Sequence, residues 1–565
     1  MRWTLKNAPE KEKVAILASE LQVDTTIAKI LYQRNITTFN EAKKYFRPSL
    51  KDIHNPFLLK DMDLAVQRIE TAIANQENIL IYGDYDVDGT TAVSLVASYL
   101  KTIYNNIATY IPDRYAEGYG ISFKGIDFAE DNNFSLIIAL DCGIKALEKV
   151  AYAKEKNIDF IICDHHKPGK ELPRAVAVLN AKREDCNYPF DELCGCGVGF
   201  KLIQALGVSR NQTIEYFVPY LDLVATAIAA DIVPLTGENR ALAYFGLQVI
   251  NKKPRNGIKA IIEQVKKEFL TITDVVFIIA PRINAAGRIK HGNYAVELLT
   301  EMELEAAKEF ASAIEVFNAD RKNLDKKITA EALLQIKENN EEERFSTVVY
   351  KEDWHKGVIG IVASRLIEKY YKPTLVFTKS GDKLAASARS VNNFDVYNAL
   401  EACSEYIEQF GGHKYAAGLT LLPENYKKFK NKFEEVVSKT LEKESLTPEI
   451  VIDSELELTE ITPKFFRIIQ QMAPFGPGNL KPIFKSTCVR DNGYGKQVGA
   501  EKTHLKLHIF QGDNKVTFNS IGFNLGDKIA LIKDSFDIIY ALDENEWNGV
   551  KSIQLLLKDL KSTGK

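Results

Sequence analysis

No run in this chain reaches the roughly 18 consecutive apolar residues that a membrane-crossing helix needs. The opening residues, MRWTLKNAPEKEK, hold no apolar core of a secretory signal. Cysteine is scarce, with seven scattered over 565 residues. That excludes a disulfide framework and suits reduced thiols in a cytoplasmic setting. Cys186, Cys194 and Cys196 lie close in sequence, but their spacing fits no zinc pattern and no fourth ligand accompanies them. Charge of one sign is also lacking: 73 basic residues face 76 acidic ones, a net charge of −3. A balance of this kind neither demands nor excludes nucleic acid, since a basic groove can sit on a neutral protein. Internal repeats and low-complexity tracts are absent. What is present is ordinary globular composition, 45% hydrophobic and 26% charged, over a length that suits about three or four domains.

Residues 1–75 read as mostly helical. From residue 76 short apolar runs alternate with helical periods: NILIY, then TTAVSLVASYLKTIY; IATYIP; FSLIIAL, then ALEKVAYAKEKN; IDFIIC; AVAVLN. Strands alternating with helices predict βαβ units and a parallel sheet over 76–300. Between Glu301 and Glu343 there is neither Gly nor Pro, and Phe310, Ile314, Phe317, Leu324 and Ile328 keep helical spacing. This predicts a long connecting helix over 301–343. A second α/β module follows over 344–440, and alternating segments over 448–565 predict a small β domain, a barrel of the oligonucleotide-binding type.

In parallel sheets, ligands gather at the carboxyl ends of the strands. Three predicted strands deliver acids or imidazoles there: Asp84, Asp86 and Asp88 after the first, Asp141 after another, and Asp164-His165-His166 after a third. Asp231 follows a later apolar stretch, with Asp222 near its start. Helix capping explains one or two such acids, not the set. Several carboxylates within a few Å cannot all ionise without a compensating cation. Oxygen-rich ligands with an imidazole favour Mn²⁺ over Zn²⁺ and admit Mg²⁺. Two such cations about 3.5–4 Å apart suit in-line phosphoryl displacement, so the cluster points to a metal-dependent phosphoesterase.

In order and separation, GDYDVDGTT, ALDCG, CDHH and AADIVPL resemble the first four motifs of the DHH phosphoesterase family. IPDRYAEGYGI, LCGCGVGFKL, PRINAAGRI, HKGVIGIVASRL, ASARSV and FGGHKYAAGLTL narrow the resemblance to that family's bacterial 5′→3′ exonucleases specific for single-stranded DNA. It runs from about residue 50 to the carboxyl terminus. The resemblance implies a DHH domain joined by a long helix to a DHH-associated domain, followed by the barrel. It implies two divalent cations held by Asp86, Asp88, Asp141, His165 and Asp231, and it selects Asp231 over Asp222. His166 would stand beside the scissile phosphate. Asp84 occupies a place where some relatives carry histidine, and is a further ligand or an acid just behind the ligands. Products would be 5′-mononucleotides, in the setting of DNA repair and recombination. A single-stranded-DNA-binding protein and a recombination helicase are the expected helpers; the extra domain that some members carry after the barrel is not expected within residues 1–565.

For the substrate, Arg114 follows a predicted strand, and in similar enzymes the matching arginine helps hold the 5′ end. Arg282 and Arg288 are expected to face one backbone groove, where guanidinium forks suit phosphate. Ser387 and Arg389, two apart on a strand, point the same way and are expected to grip a terminal 5′-phosphate. Gly411, Gly412 and His413 offer a close-approach turn with an imidazole, resembling the substrate-binding motif of the DHH-associated domain. Two rivals are weighed against this reading. One is a DHH phosphodiesterase of short oligonucleotides or cyclic dinucleotides. The other is an inactive scaffold, which should have lost metal ligands that this chain retains.

Overall fold

The structure is a computed structural model describing residues 1–513 and 516–563. Its first lobe is built on five parallel strands in the order 107–110, 78–83, 134–140, 159–163, 177–179. The strand Asn78–Gly83 is buried from its second residue on. That is why it reads as an unbroken apolar run rather than an alternating one. Helix Val87–Leu100 is buried along almost its whole length, packed against helices Gly195–Val208 and Leu221–Asp231.

The chain leaves strand 78–83 for the edge strand 107–110 and then crosses back to 134–140 on the other side. The strand order therefore reverses between 78–83 and 134–140, which opens a crevice at their carboxyl ends. Register sets what stands there. Gly83 pairs with Leu140, and Leu140 with Cys163. The next residues, Asp84, Asp141 and Asp164, consequently arrive at one level of the sheet edge.

Helix Leu304–Glu338, 35 residues long and roughly 50 Å at 1.5 Å per residue, runs from this lobe to the second. The second lobe is a mixed sheet in the order 409–413, 416–421, 383–389, 374–380, 347–350. Helix Ile359–Tyr370 lies between its two parallel strands in sequence. In the carboxyl-terminal domain, strands 484–491, 536–547, 550–562, 517–522 and 504–511 pair in turn, and 504–511 pairs back to 484–491. This closed five-stranded ring is the oligonucleotide-binding type of barrel.

The amino-terminal helices divide between two cores. Met62, Ala65, Ile69 and Ala72 pack into the first lobe. Val14, Leu17, Ile27, Ile30 and Leu31 pack with Leu456, Phe465 and Phe484 of the barrel domain. Ahead of them a strand that the sequence did not reveal, Arg2–Leu5, pairs in parallel with Glu449–Ile452. Lys6 reaches Asp453 (2.6 Å) and the Trp3 indole N–H donates to Asp559 (2.8 Å). The beginning of the chain thus straps down the linker into the barrel.

Arg240 fastens the first lobe to the barrel domain. Its guanidinium stacks on Tyr45 at 4.0 Å and donates to the carbonyls of Tyr45, Met472, Ala473 and Pro474. Arg240→Met would take the donor from the Tyr45 and Ala473 carbonyls, while Met472 and Pro474 keep the Asn479 amide, at about 1–3 kcal/mol for each group left unsatisfied. The expected result is that barrel and first lobe melt as separate, earlier calorimetric transitions. A single transition at the parental midpoint would refute the role of this junction.

Candidate metal centre and substrate cleft

After Gly83 the chain turns within five residues into helix Val87–Leu100. Gly89 permits this, because a Cβ there would collide with the Asp84 carbonyl. Asp86 caps the helix, its Oδ1 accepting from the Gly89 N–H at 3.1 Å. The expected capping role therefore holds for Asp86, and its second oxygen remains for a ligand. Asp88 points the opposite way. Its two oxygens accept the N–H groups of Gly195 (2.6 Å) and Cys196 (2.7 Å), at the positive end of helix Gly195–Val208. Asp84 is fully buried. Its Oδ1 lies 3.3 Å from the Gly120 nitrogen, and its Oδ2 has no hydrogen-bond partner among the described residues.

Asp141 sits at φ 59°, a left-handed conformation that costs an L-residue about 1 kcal/mol, and this turns its carboxylate into the crevice. Gly195 is required beside it, since a Cβ there would stand 2.6 Å from Asp141 Oδ1. Asp164 accepts the backbone N–H groups of Ile144, His165 and His166, and its Oδ1 holds His166 Nδ1 at 2.7 Å. His165 turns the other way. Its Nε2 lies 3.1 Å from Asp141 Oδ1, 3.6 Å from Asp231 Oδ2 and 3.7 Å from Asp88 Oδ2. Asp222 is elsewhere, buried in an ion pair with Arg255.

Two sets of ligating atoms each fall within 4.8 Å, Asp88 with His165 and Asp231, and Asp141 with His165 and His166, so His165 is common to both. Asp86 joins through its charge, which helps raise the carboxyls of Asp84, Asp88, Asp141 and Asp231. Burial is the larger cause in each case, and mutual repulsion the second. Burial and the neighbouring His166 charge hold His165 down to about 3. For His166, burial is outweighed by the hydrogen bond and charge of Asp164, which lift it to about 9. Asp141 Oδ1 and both His165 nitrogens are buried without a hydrogen-bond partner among the described residues. Carboxylate and neutral imidazole acceptors turned toward one another with no donor between them fit divalent cations. Among the described residues, no group able to hold a metal includes a cysteine. Cys194 instead caps helix Gly195–Val208.

Across the cleft the signs reverse. Arg114 lies over the Tyr85 ring at 4.6 Å. Arg288 donates to the Gly357 carbonyl of the second lobe at 3.0 Å. Arg389 donates to Ser387 Oγ at 3.1 Å, and both stand against the start of helix Ile359–Tyr370, where a Gly360 Cβ would lie 2.8 Å from Ser387 Oγ and 3.0 Å from the Arg389 guanidinium. A helix amino terminus beside a serine and arginines has the donors and charge that suit an anion. Burial lowers Arg288, and the charges of Arg114, Arg389 and Arg321 lower it further. Gly412, at φ 141°, sits where a Cβ would strike strand 416–421. It presents His413 close enough to Arg389 and His166 for both to depress its pKa, after burial.

Arg282 departs from expectation. It is buried against Glu315 at 2.6 Å. A separation of six residues leaves two helical side chains about 120° apart, so Arg282 and Arg288 do not share a groove. Trp354 is buried and bonded to Glu331. Sequence reasoning passed over three supports. Asp164 orients His166 and was legible as the first letter of DHH. The Gly195 and Cys196 amides hold Asp88, inside a motif noted only as a match. The Tyr119 hydroxyl, 3.4 Å from His166 Nε2, gave no signal of its own.

Comparison with known proteins agrees domain by domain. Residues 78–228 match the DHH family, N-terminal domain; 344–439 the DHHA1 domain; and 452–559 the RecJ OB domain. The chain is 35% identical to the single-stranded-DNA-specific exonuclease RecJ of Bacillus subtilis, over 99% of this chain and 70% of that one. It is 33% identical to the RecJ of Haemophilus influenzae, over 90% and 92%. Among solved structures, RecJ from Thermus thermophilus in complex with Mn²⁺ superposes with a TM-score of 0.86 at 25% identity, over all of this chain and 80% of that one. An exonuclease RecJ bound to manganese gives 0.59 at 30% identity, over 67% and 95%. Identity above 30% along nearly the whole chain settles the assignment: the protein belongs to the RecJ family of DHH phosphoesterases.

Proposed function

We propose that the protein is a metal-dependent exonuclease that enters single-stranded DNA at its 5′ end and releases 5′-mononucleotides. One observation carries this reading: the acidic centre of the first lobe faces an arginine–serine anion pocket of the second lobe across one cleft. Arg114 belongs to both sides, since its charge acts on Asp84 and on Arg389. A terminal phosphate held by Ser387, Arg389 and Arg288 would set the next phosphodiester over the acids. Cleavage there frees one nucleotide at a time.

Asp86, Asp88, Asp141, His165 and Asp231 would hold two divalent cations, Mn²⁺ foremost and Mg²⁺ as well, as the manganese-bound relatives suggest. Bound there, such cations would contribute charge stabilisation for an in-line displacement and activation of water. His166, fixed through Nδ1 by Asp164, would present Nε2 to the scissile phosphate. Asp84, beneath the ligands, would hold the strand end in place. His413 and the Gly412 turn would close over the bound nucleotide. The barrel would track the strand by charge and stacking. Single strands have to be supplied and kept open, so a helicase and a single-stranded-DNA-binding protein are the fitting partners, in the cytoplasm where the DNA lies.

The direct test incubates 5′-labelled single-stranded DNA with Mn²⁺ or Mg²⁺, beside duplex DNA, RNA and a cyclic dinucleotide. Labelled mononucleotide from the single strand alone is expected, with Asp141→Ala inactive yet folded by circular dichroism. Preference for the cyclic dinucleotide would sink the proposal. Arg389→Ala should raise KM about tenfold or more while changing kcat little, as for a group that binds without reacting; an unchanged KM removes it from the pocket. The metal centre has its own pH signature. Folding raises the carboxyls of Asp84, Asp88, Asp141 and Asp231. Their contribution to stability is present below the unfolded value of about 4 and is lost as pH rises through the folded values. Cations reverse that loss, so the gain in thermal midpoint from Mn²⁺ should grow between about pH 5 and pH 8. A gain that is flat with pH would contradict the ligand set.

A further inference from the structure

The long helix Leu304–Glu338 does more than join the lobes. One polar row runs along it past both. Glu315 binds Arg282 of the first lobe at 2.6 Å. Asp325 binds the Arg365 guanidinium of the second lobe with both oxygens, at 2.8 and 2.9 Å from its Nε. Between these anchors stand Asn318 and Arg321, and Arg321 donates to Asn318 Oδ1 at 3.1 Å. Asn318 is fully buried, yet among the described residues its Nδ2 has no partner, and neither has the buried Nε of Arg321. Two buried donors are thus left over. Each such group costs about 1–3 kcal/mol when unpaired, and native structures keep few without reason. What they lack is an acceptor. Helix Leu304–Glu338 packs against helix Ala280–Ile289, which carries Arg288.

Resting on the exonuclease reading above, we propose that the part-buried Arg321, positioned by Asn318 Oδ1, forms a further phosphate-binding subsite, in which the connecting helix itself holds one phosphate of the bound strand. The chemistry suits that ligand. A phosphate oxygen accepts several hydrogen bonds at once and carries the negative charge that a guanidinium fork recognises. The neighbouring acids do not supply it, because Glu315 and Asp325 are already committed to Arg282 and Arg365. The electrostatics agree. Arg321 is among the charges that depress Arg288, so the two guanidiniums belong to one cationic wall. The position matters as much as the charge. A phosphate gripped midway between the two anchors would tie the strand to the element that sets the distance between metal centre and 5′ pocket.

Binding of 3′-fluorescein-labelled, 5′-phosphorylated (dT)12 to the full chain, followed by anisotropy in EDTA over a salt series, tests this without cleavage. Arg321→Gln should raise Kd about tenfold and flatten the dependence of log Kd on log salt by about 0.7, the increment for one phosphate contact to a single strand. Asn318→Asp should weaken binding similarly and raise the thermal midpoint, because the new carboxylate gives Arg321 an internal partner. This second variant keeps the test decisive should Arg321→Gln fold poorly. If both variants fold and bind with the parental Kd and salt slope, the subsite does not exist. If the parental chain with Mn²⁺ releases no labelled mononucleotide from single strands, the exonuclease reading falls instead, and the two failures are told apart by that control.

Discussion

Repulsion among carboxylates at one sheet edge is the constraint around which this molecule is built. Strand register delivers Asp84, Asp141 and Asp164 at one level, and the turn through Gly89 adds Asp86 and Asp88. Left alone, such a group would protonate or spread apart. Rigid partners prevent the spreading. Asp88 is pinned by two amides at a helix amino terminus, Asp86 by the start of its own helix, and Asp164 by three amides and an imidazole. Asp141 is held in a left-handed turn against Gly195. Every one of these supports is backbone or nearly so, which is how a protein fixes charges that would rather move apart.

The sheet and the acid cluster were legible because their causes are local. A buried parallel strand must be an apolar run, and the residue after it must lie at the sheet edge. Strand ends could therefore be read as a list of neighbours without any knowledge of the fold. The choice between Asp231 and Asp222 was not legible in that way, since both border the same apolar helix. It depends on Arg255, 33 positions from Asp222 and distant in any pattern, which neutralises that acid. Arg282 shows the opposite failure. Its motif matched, but Glu315 on a separate helix claims it. Periodicity foresees which face a residue occupies, not which partner comes to meet it.

The same limit hid the strap at the beginning of the chain. Arg2–Leu5 is too short to announce a strand, and its partner lies near residue 450. Closure of the barrel between strands 504–511 and 484–491 likewise rests on pairing that no window of sequence contains. The cysteines resolve through tertiary contact as well. The Cys196 amide grips Asp88, and Cys194 Sγ accepts the Gly197 N–H at the start of the same helix.

The cleft as a whole joins two unfavourable halves. On one wall acids crowd together. On the other, burial and then the charge of Arg114 lower the affinity of Arg288 and Arg389 for protons, with no carboxylate among the described residues paired to Arg288. Direct contact between the walls would cancel both charges and close the site. The molecule avoids this by hanging each wall on its own sheet and spacing them with a single long helix whose acids are already engaged, Glu315 toward one lobe and Asp325 toward the other. The separation then suits only something that carries both signs in sequence: cations for the acids, a phosphate chain for the arginines. Strain retained at a site in this way is a common price of function.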